Sequence, residues 1–316
     1  MIVFPSALKK LNVLGMNARN IDYISRYNDR RLYPLVDDKL QTKKLIEKHG
    51  LKAPELFGFI EFQAQVKKIK EIIPEGAGFV IKPAQGSGGK GILVILKQED
   101  GYFIKQNGDK INEHNLRRHI SNILSGLYSL SGKDDVALVE KLIEFDDAFE
   151  GFSFEGVPDI RVIVYRGYPV MAMMRLSTSA SDGKANLHQG AVGVGLNISN
   201  GKALSAVQFD APITHHPDTG KELLELEISQ WDKVLRLASG SFDMTDLGYL
   251  GADIVLDKQN GPMLLELNAR PGLAIQIANK TGLEARLRLV DAIAGQHKNI
   301  DERLEFSYLN FGATDA

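Results

Sequence analysis

Apolar residues recur along this chain in two periods. Alternation or short unbroken apolar runs predict strands over residues 79–82, 92–95, 102–104, 136–143, 159–165, 169–176, 253–256 and 263–267. Apolar positions at helical spacing predict helices over residues 17–28, 62–73, 112–130, 229–240, 271–279 and 282–294. A further helix is opened by Asp37 and Asp38 and stopped at Gly50. Residues 29–36 read as an extended arm, and the polar tail from Gly295 onward as peripheral.

The strands 253–256 and 263–267 are joined by Asp257-Lys-Gln-Asn-Gly261, a turn signal with Asn-Gly at its end. A loop symmetric about Gln259 and Asn260 sets Asp253 opposite Glu266, with their Cβ atoms roughly 4.5–5.5 Å apart. Asn268, two residues on, shares that face. Two carboxylates and an amide oxygen held together suit a hard cation, Mg²⁺ or Mn²⁺. A hairpin with a polar outer face is the plain alternative, and this stretch alone leaves both open.

Between the strands 79–82 and 92–95, residues 86–91 match G-x-G-x-x-G. A dinucleotide fold or a P-loop would continue into a helix, whereas here a second strand follows. Strand, glycine loop and strand is the lid type that folds over ATP phosphates. Gly86, Ser87, Gly88 and Gly89 would offer backbone N–H groups, with Lys90 beside them, and Lys82 on the entering strand would neutralise charge. A glycine-rich hairpin without a ligand is the alternative. On the strand 159–165, Asp159 and Arg161 face one way. Arg175 ends the next strand, placed to reach a ligand or to cap the sheet. Asn186 and His188 share a face of a small-residue segment. Arg30 and Arg31 could clamp an anion, but a solvated pair is the better reading. His215 and His216 lack a third ligand nearby, which discounts zinc.

Composition narrows the classes. The 316 residues are 44% hydrophobic and 25% charged, ordinary for a globular protein of one large domain or two to three small ones. A net charge of −2 argues against a nucleic-acid partner. The chain has no cysteine, which excludes disulfides, thiolate zinc sites and cysteine nucleophiles and fits a reducing compartment. The start lacks a signal-peptide pattern, and no apolar run is long enough to span a bilayer. A cytoplasmic protein is expected.

Three features stand in fixed order: Asp38-Lys39 opening a helix, Lys82 with the glycine lid at 86–91, and the hairpin carrying Asp253, Glu266 and Asn268. That order resembles the ATP-grasp superfamily of carboxylate–amine ligases, nearest the alpha-L-glutamate ligases of the ribosomal-protein-modification (RimK) type. The likeness covers residues 37–290. It implies an α+β ATP-grasp fold, with a small glycine-loop lid over a larger antiparallel-sheet body. It also implies a shortened N-terminal region at 1–38, a lid subdomain at 39–139, a metal-bearing subdomain at 140–297 and a tail at 298–316. The implied cofactors are ATP and Mg (or Mn).

The resemblance also implies roles. Lys39 and Lys82 are the phosphate lysines. Val139, Glu140, Lys141 and Leu142 form the hinge that receives adenine. Asp159 and Arg161 lie beside nucleotide and acceptor, and Arg175, Asn186 and His188 near the triphosphate. Asp253, Glu266 and Asn268 hold the metal, with Lys82 and Arg270 as counter-charges. Arg270 stands where the glutamate ligases usually carry a small residue, and in other branches it holds substrate anion. The implied activity joins a carboxylate substrate to an amine acceptor through an acyl phosphate, adding glutamate or a similar amino acid. A kinase, a sugar-associated ATP-grasp enzyme and a non-catalytic ATP-binding partner are the alternatives. The sequence leaves a homo-oligomer open.

Overall fold

In the computed structural model, which describes residues 10–86, 88–129, 132–293, 296 and 299–312, the chain divides into two compact units. One holds Asp38–Lys44 and Ala53–Glu144, the other Met1–Asp37, Leu45–Lys52 and Phe145–Ala316. Ser87, Leu130 and residues 294, 295, 297 and 298 lie outside the described residues, and the helix expected over 112–130 ends at Leu124, followed by a turn.

The smaller unit is built on β1 (Leu56–Ile60), β2 (Phe79–Pro83), β3 (Leu93–Glu99), β4 (Tyr102–Lys105), β5 (Lys110–Ile111) and β6 (Ala137–Lys141), in the order β1-β6-β2-β3-β4-β5. Strand alternation gives the sheet two faces. Phe79, Ile81, Ile95 and Val139 pack with Leu116, Ile120 and Ile123 of the helix Glu113–Leu124. Asn112 caps that helix, accepting from the Asn115 N–H at 3.0 Å. On the opposite face Leu138 and Ala84 pack with Leu40. Lys82 is opposed to Leu138, and Val80 to Glu140. Both charged side chains therefore emerge on the Leu40 face.

The larger unit carries β7 (Asp159–Tyr165), β8 (Tyr168–Leu176), β9 (Val192–Leu196), β10 (Ala203–Gln208), β11 (Ala211–Ile213), β12 (Tyr249–Asp257) and β13 (Gly261–Asn268), ordered β11-β10-β9-β8-β7-β12-β13. Ile160, Val162 and Val164 of β7 are opposed to Ile254, Ala252 and Leu250 of β12, and all six are wholly buried. The helix Trp231–Thr245 buries Val234, Leu235 and Ala238. It runs well past residue 240, and Trp231 donates to the Ile198 carbonyl at 2.7 Å.

Several expectations change. Residues 29–36 are not extended: Asp29 caps a helical turn at Arg30–Leu32, and a second turn follows at Pro34–Asp37. The segment Met16–Tyr27 is helical throughout, but its middle is wound wider, with the Ser25 N–H reaching the Asn20 carbonyl. The helix expected over 271–279 is one turn, Ile275–Ala278. The tail contains a helix, Ile300–Phe311, capped by Asn299 and burying Leu304, Ser307 and Phe311. Its charged outer face hid that stripe, and Phe306 packs edge-on against Tyr168 at 5.4 Å.

The N-terminal helix is tied to the sheet by one buried side chain. Asn28 donates to the carbonyls of Tyr249 (2.7 Å) and Ala269 (3.0 Å) and accepts from the Tyr249 N–H (2.8 Å). It thereby joins the start of β12 to the end of β13. Asn28→Ala leaves three buried backbone groups short of a partner, and is expected to cost about 3 kcal/mol. Chemical denaturation checks this, and a loss below roughly 0.5 kcal/mol, the range of an inert surface change, would refute the pinning role.

Candidate functional site

In the smaller unit, the glycine loop stands on a fixed base. The buried carboxylate of Asp135 accepts from the N–H groups of Gln85 (3.0 Å) and Val136 (2.7 Å) and from the Ser129 hydroxyl (2.5 Å). Gly88 and Gly89 take φ of 63° and 75°, which side chains resist. At Gly91 a side chain would run into the Tyr128 ring, 2.6 Å from the Cβ position. Lys39 Nζ donates to the Gly86 carbonyl at 2.8 Å, and its N–H donates to the Ala84 carbonyl at 3.0 Å. The start of its helix is thus docked where the chain leaves β2. Gly88, Gly89 and Lys90 are exposed.

Behind the loop lies a buried charge cluster. Lys82 Nζ is 2.7 Å from one oxygen of Glu140, and Lys43 Nζ is 3.0 Å from the other. Burial alone would raise the Glu140 pKa, but the charges of Lys82 and Lys43 hold it below the usual carboxylate range. Burial draws Lys43 below the usual lysine value. Glu140, expected as one link of a hinge, holds two lysines with its carboxylate. The N–H groups of Lys141 and Leu142 already donate to the carbonyls of Glu55 (2.9 Å) and Gly78 (3.2 Å). Lys43 was not singled out in the sequence, although it lies three residues after the apolar Leu40, on the same helix face.

In the larger unit, register assembles the second set. Asp159 is opposed to Arg175, and Asp253 to both Arg161 and Glu266. All five side chains therefore share one face of β7, β8, β12 and β13. The hairpin reaches this register by another route than an even turn. Asp257 opposes Gly261 across a three-residue turn, and an extra residue at Leu265 brings Glu266 back opposite Asp253. Asp253 is almost wholly buried. Arg161 donates to both its oxygens, at 2.7 and 2.6 Å, and Arg175 adds a bond of 2.7 Å while holding Asp159 at 2.5 Å. Burial raises the pKa of Asp159 to about 6, against the pull of Arg175 and with the push of the Asp253 charge. Burial opposes ionisation of Asp253 too, but the two guanidinium groups lower its pKa.

Within the larger unit the counter-charges of Asp253 are Arg161 and Arg175. Lys82 is bound to Glu140, and Arg270 lies exposed over Tyr33, 3.3 Å from Asp37. Asn186 caps the turn Leu187–Gln189 by accepting from the His188 N–H at 3.1 Å, and the His188 side chain is exposed. Arg31 is paired with Asp29 at the surface, as a solvated pair should be. His216 is buried and bonded to the Ser177 carbonyl.

For a hard cation, Glu266 and Asn268 offer a carboxylate and an amide oxygen two residues apart on the edge strand, both half-buried. Asn268 Oδ1 also accepts from the Arg270 N–H at 2.8 Å. Asp253 fits less well, since guanidinium donors occupy both its oxygens. No cluster of three acidic, histidine or cysteine side chains suited to a metal occurs among the described residues. That donor set suits Mg²⁺, which keeps water and draws further ligands from phosphates.

Asp253→Asn strips the charge that answers two buried guanidinium groups and is expected to destabilise the fold by about 3–5 kcal/mol. Glu266→Gln, on the half-buried edge, should cost under about 1 kcal/mol. Thermal and urea denaturation of the two variants side by side measure the contrast; equal small losses would dismiss the arginine-held account of Asp253.

No curated protein matches the chain. Among solved structures it is similar to the ATP-grasp ligase PsnB complexed with its minimal precursor, with 16% identity, TM-score 0.46 and coverage of 86% of this chain and 64% of that one. The chain thus spans less than two thirds of that ligase. It is also similar to the D-cycloserine synthetase DcsG, with 14% identity, TM-score 0.47 and coverage of 89% and 80%. A third similar structure is the D-alanine–D-alanine ligase of Bacillus anthracis complexed with ATP, with 14% identity, TM-score 0.41 and coverage of 88% and 67%. A family match runs over residues 18–292 and so takes in most of the N-terminal helix that Asn28 anchors. With its glycine loop, its lysine-bearing sheet and its carboxylate hairpin, the chain has the ATP-grasp fold and belongs to the sugar-transfer associated ATP-grasp family.

Proposed function

We propose that the protein is an ATP-dependent carboxylate–amine ligase. The observation that carries this reading is the charged face of the larger unit, where Arg161 and Arg175 sit among Asp159, Asp253 and Glu266. It supplies fixed positive charge beside carboxylates and requires no side-chain nucleophile, as phosphoryl transfer to a substrate carboxylate needs. An oxygen of the substrate carboxylate attacks the γ-phosphorus of ATP, the bond to the β–γ bridging oxygen breaks, and ADP leaves. The amine nitrogen then attacks the acyl carbon, an amide forms, and phosphate departs with the bonding pair while the amine loses a proton.

The chain's own groups orient and neutralise. Lys39 and Lys82 face the phosphates, and the N–H groups of the glycine loop close on them. Lys141 and Leu142 receive adenine, which for the Leu142 N–H means giving up its long bond to Gly78. Arg161 and Arg175 hold the substrate carboxylate and the charge of the acyl phosphate, with Asp159 keeping Arg175 oriented. Asn186 and His188 lie by the triphosphate, and Arg270 meets a substrate anion. Glu266 and Asn268, with Asp253 behind them, would hold Mg²⁺, which when bound offsets phosphate charge. Glutamate or a similar amino acid serves as the amine. The family's association with sugar transfer favours a second reading, in which the acid or amine is carried on a sugar. No helix among the described residues is long and apolar enough to cross a membrane, and a cytoplasmic setting goes with this reading.

The test is ADP release with Mg-ATP across amino acids, peptides and amino or acidic sugars, followed by mass spectrometry. One amide should form for each ADP. A phosphorylated product without an amide would make the protein a kinase, and ADP-free incubations would leave only a binding role. Two variants accompany the screen. Lys82→Ala loses a charge-assisted contact worth roughly 1.5–3 kcal/mol and should weaken ATP about tenfold or more by calorimetry. Glu266→Gln should keep its fold and lose turnover, and full activity there would end the metal-dependent reading.

A further inference from the structure

Two lysines share one carboxylate in the smaller unit, and the sharing is unequal in kind. Lys82 Nζ meets Glu140 at 2.7 Å, whereas Lys43 Nζ meets it at 3.0 Å and also donates to the Pro54 carbonyl. The side chains of Lys43, Lys82 and Glu140 are 10%, 8% and 4% exposed. Among the described residues neither lysine is paired with a second carboxylate. The three side chains together hold one positive charge in excess, in a place where an unanswered charge is costly.

Strand alternation explains why Lys82 and Glu140 meet, but nothing in the fold requires Lys43 to join them. Leu40, one turn earlier on that helix face, is apolar and packs with Ala84 and Leu138, and a methionine of similar length would cover the same surface. Without Lys43, Glu140 and Lys82 would form a closed one-to-one pair, and a closed pair has little charge left for an incoming anion.

We infer that Lys43 is a positioning residue for nucleotide phosphate: by ion-pairing with one oxygen of Glu140, which accepts no hydrogen bond, it keeps that carboxylate from fully neutralising Lys82. The inference rests on the nucleotide reading proposed above and deepens it. Lys43 itself touches no substrate. It acts through Glu140, and Lys82 delivers the resulting charge. Burial draws the Lys43 amine below its usual pKa, and the Glu140 charge pulls against that shift.

A charge cycle tests this by calorimetry with the full chain. Lys43→Met should weaken ATP and ADP at least fivefold and leave adenosine, which has no phosphate, unchanged. Adding Glu140→Gln to Lys43→Met removes the carboxylate that now neutralises Lys82, and affinity for ATP should return to within about threefold of the parent. Unchanged ATP affinity in Lys43→Met overturns the inference. So does an equal loss for adenosine, which marks a role in folding only, and so does a double variant that stays weak. If Lys43→Met alone does not fold, the double variant decides the matter, since its loss of ATP affinity by tenfold would be fatal. The parent protein is titrated with inorganic tripolyphosphate as well. Binding of tripolyphosphate without ATP would end the nucleotide reading, and the same cycle run with tripolyphosphate would then judge Lys43. Binding of neither ends both.

Discussion

The carboxylate of Asp253 is the constraint on which the larger unit depends. It is buried on a sheet face, where an unpaired charge would cost several kcal/mol. Two guanidinium groups from two neighbouring strands answer it. That arrangement works only if β7, β8 and β12 hold their register, because a slip of one residue would turn Arg161, Arg175 and Asp253 to the opposite, apolar face. The same requirement reaches β13, where the extra residue at Leu265 returns Glu266 to the charged side. It also reaches Gly251, where a side chain would strike Pro271 at 2.8 Å. Local choices that look unrelated thus serve one pairing pattern.

Much of this was legible in the sequence. Strand alternation placed Asp159 with Arg161 and Lys82 away from Ile81, and the turn signal after Asp257 located the hairpin. The pairing of Asp253 with Glu266 followed from a loop of the wrong length, and the bulge made good the difference. A bulge has no fixed signature in a run such as Met-Leu-Leu-Glu-Leu, where either leucine could be the extra residue. What stayed hidden was the pairing of charges across strands distant in sequence. Asp253 and Arg161 are 92 residues apart, and neither advertises the other. Reading Asp253 as a bare carboxylate followed from seeing only its hairpin partner.

The helices divide along the same line. Those with an apolar stripe and a cap, such as Glu113–Leu124 behind Asn112, were plain. Ile300–Phe311 was not, because its stripe runs through Ser307 and its first turn is acidic. The short turns at Arg30–Leu32 and Pro34–Asp37 depend on Asp29 accepting from the Arg31 N–H, a local bond that competes with an extended reading. The buried Asn28 carries no periodic signal. Its importance lies in three bonds to strand ends more than 200 residues away.

Buried charge is seldom kept for stability alone, since apolar side chains of similar size often serve as well or better. Both sheets nevertheless keep charge on one face, and the balance differs between them. In the larger unit the set Asp159, Asp253, Glu266, Arg161 and Arg175 has one more carboxylate than guanidinium. In the smaller unit the set Lys43, Lys82 and Glu140 has one more ammonium than carboxylate. Each of these named sets is therefore close to neutral. A nearly neutral cluster can be buried at tolerable cost.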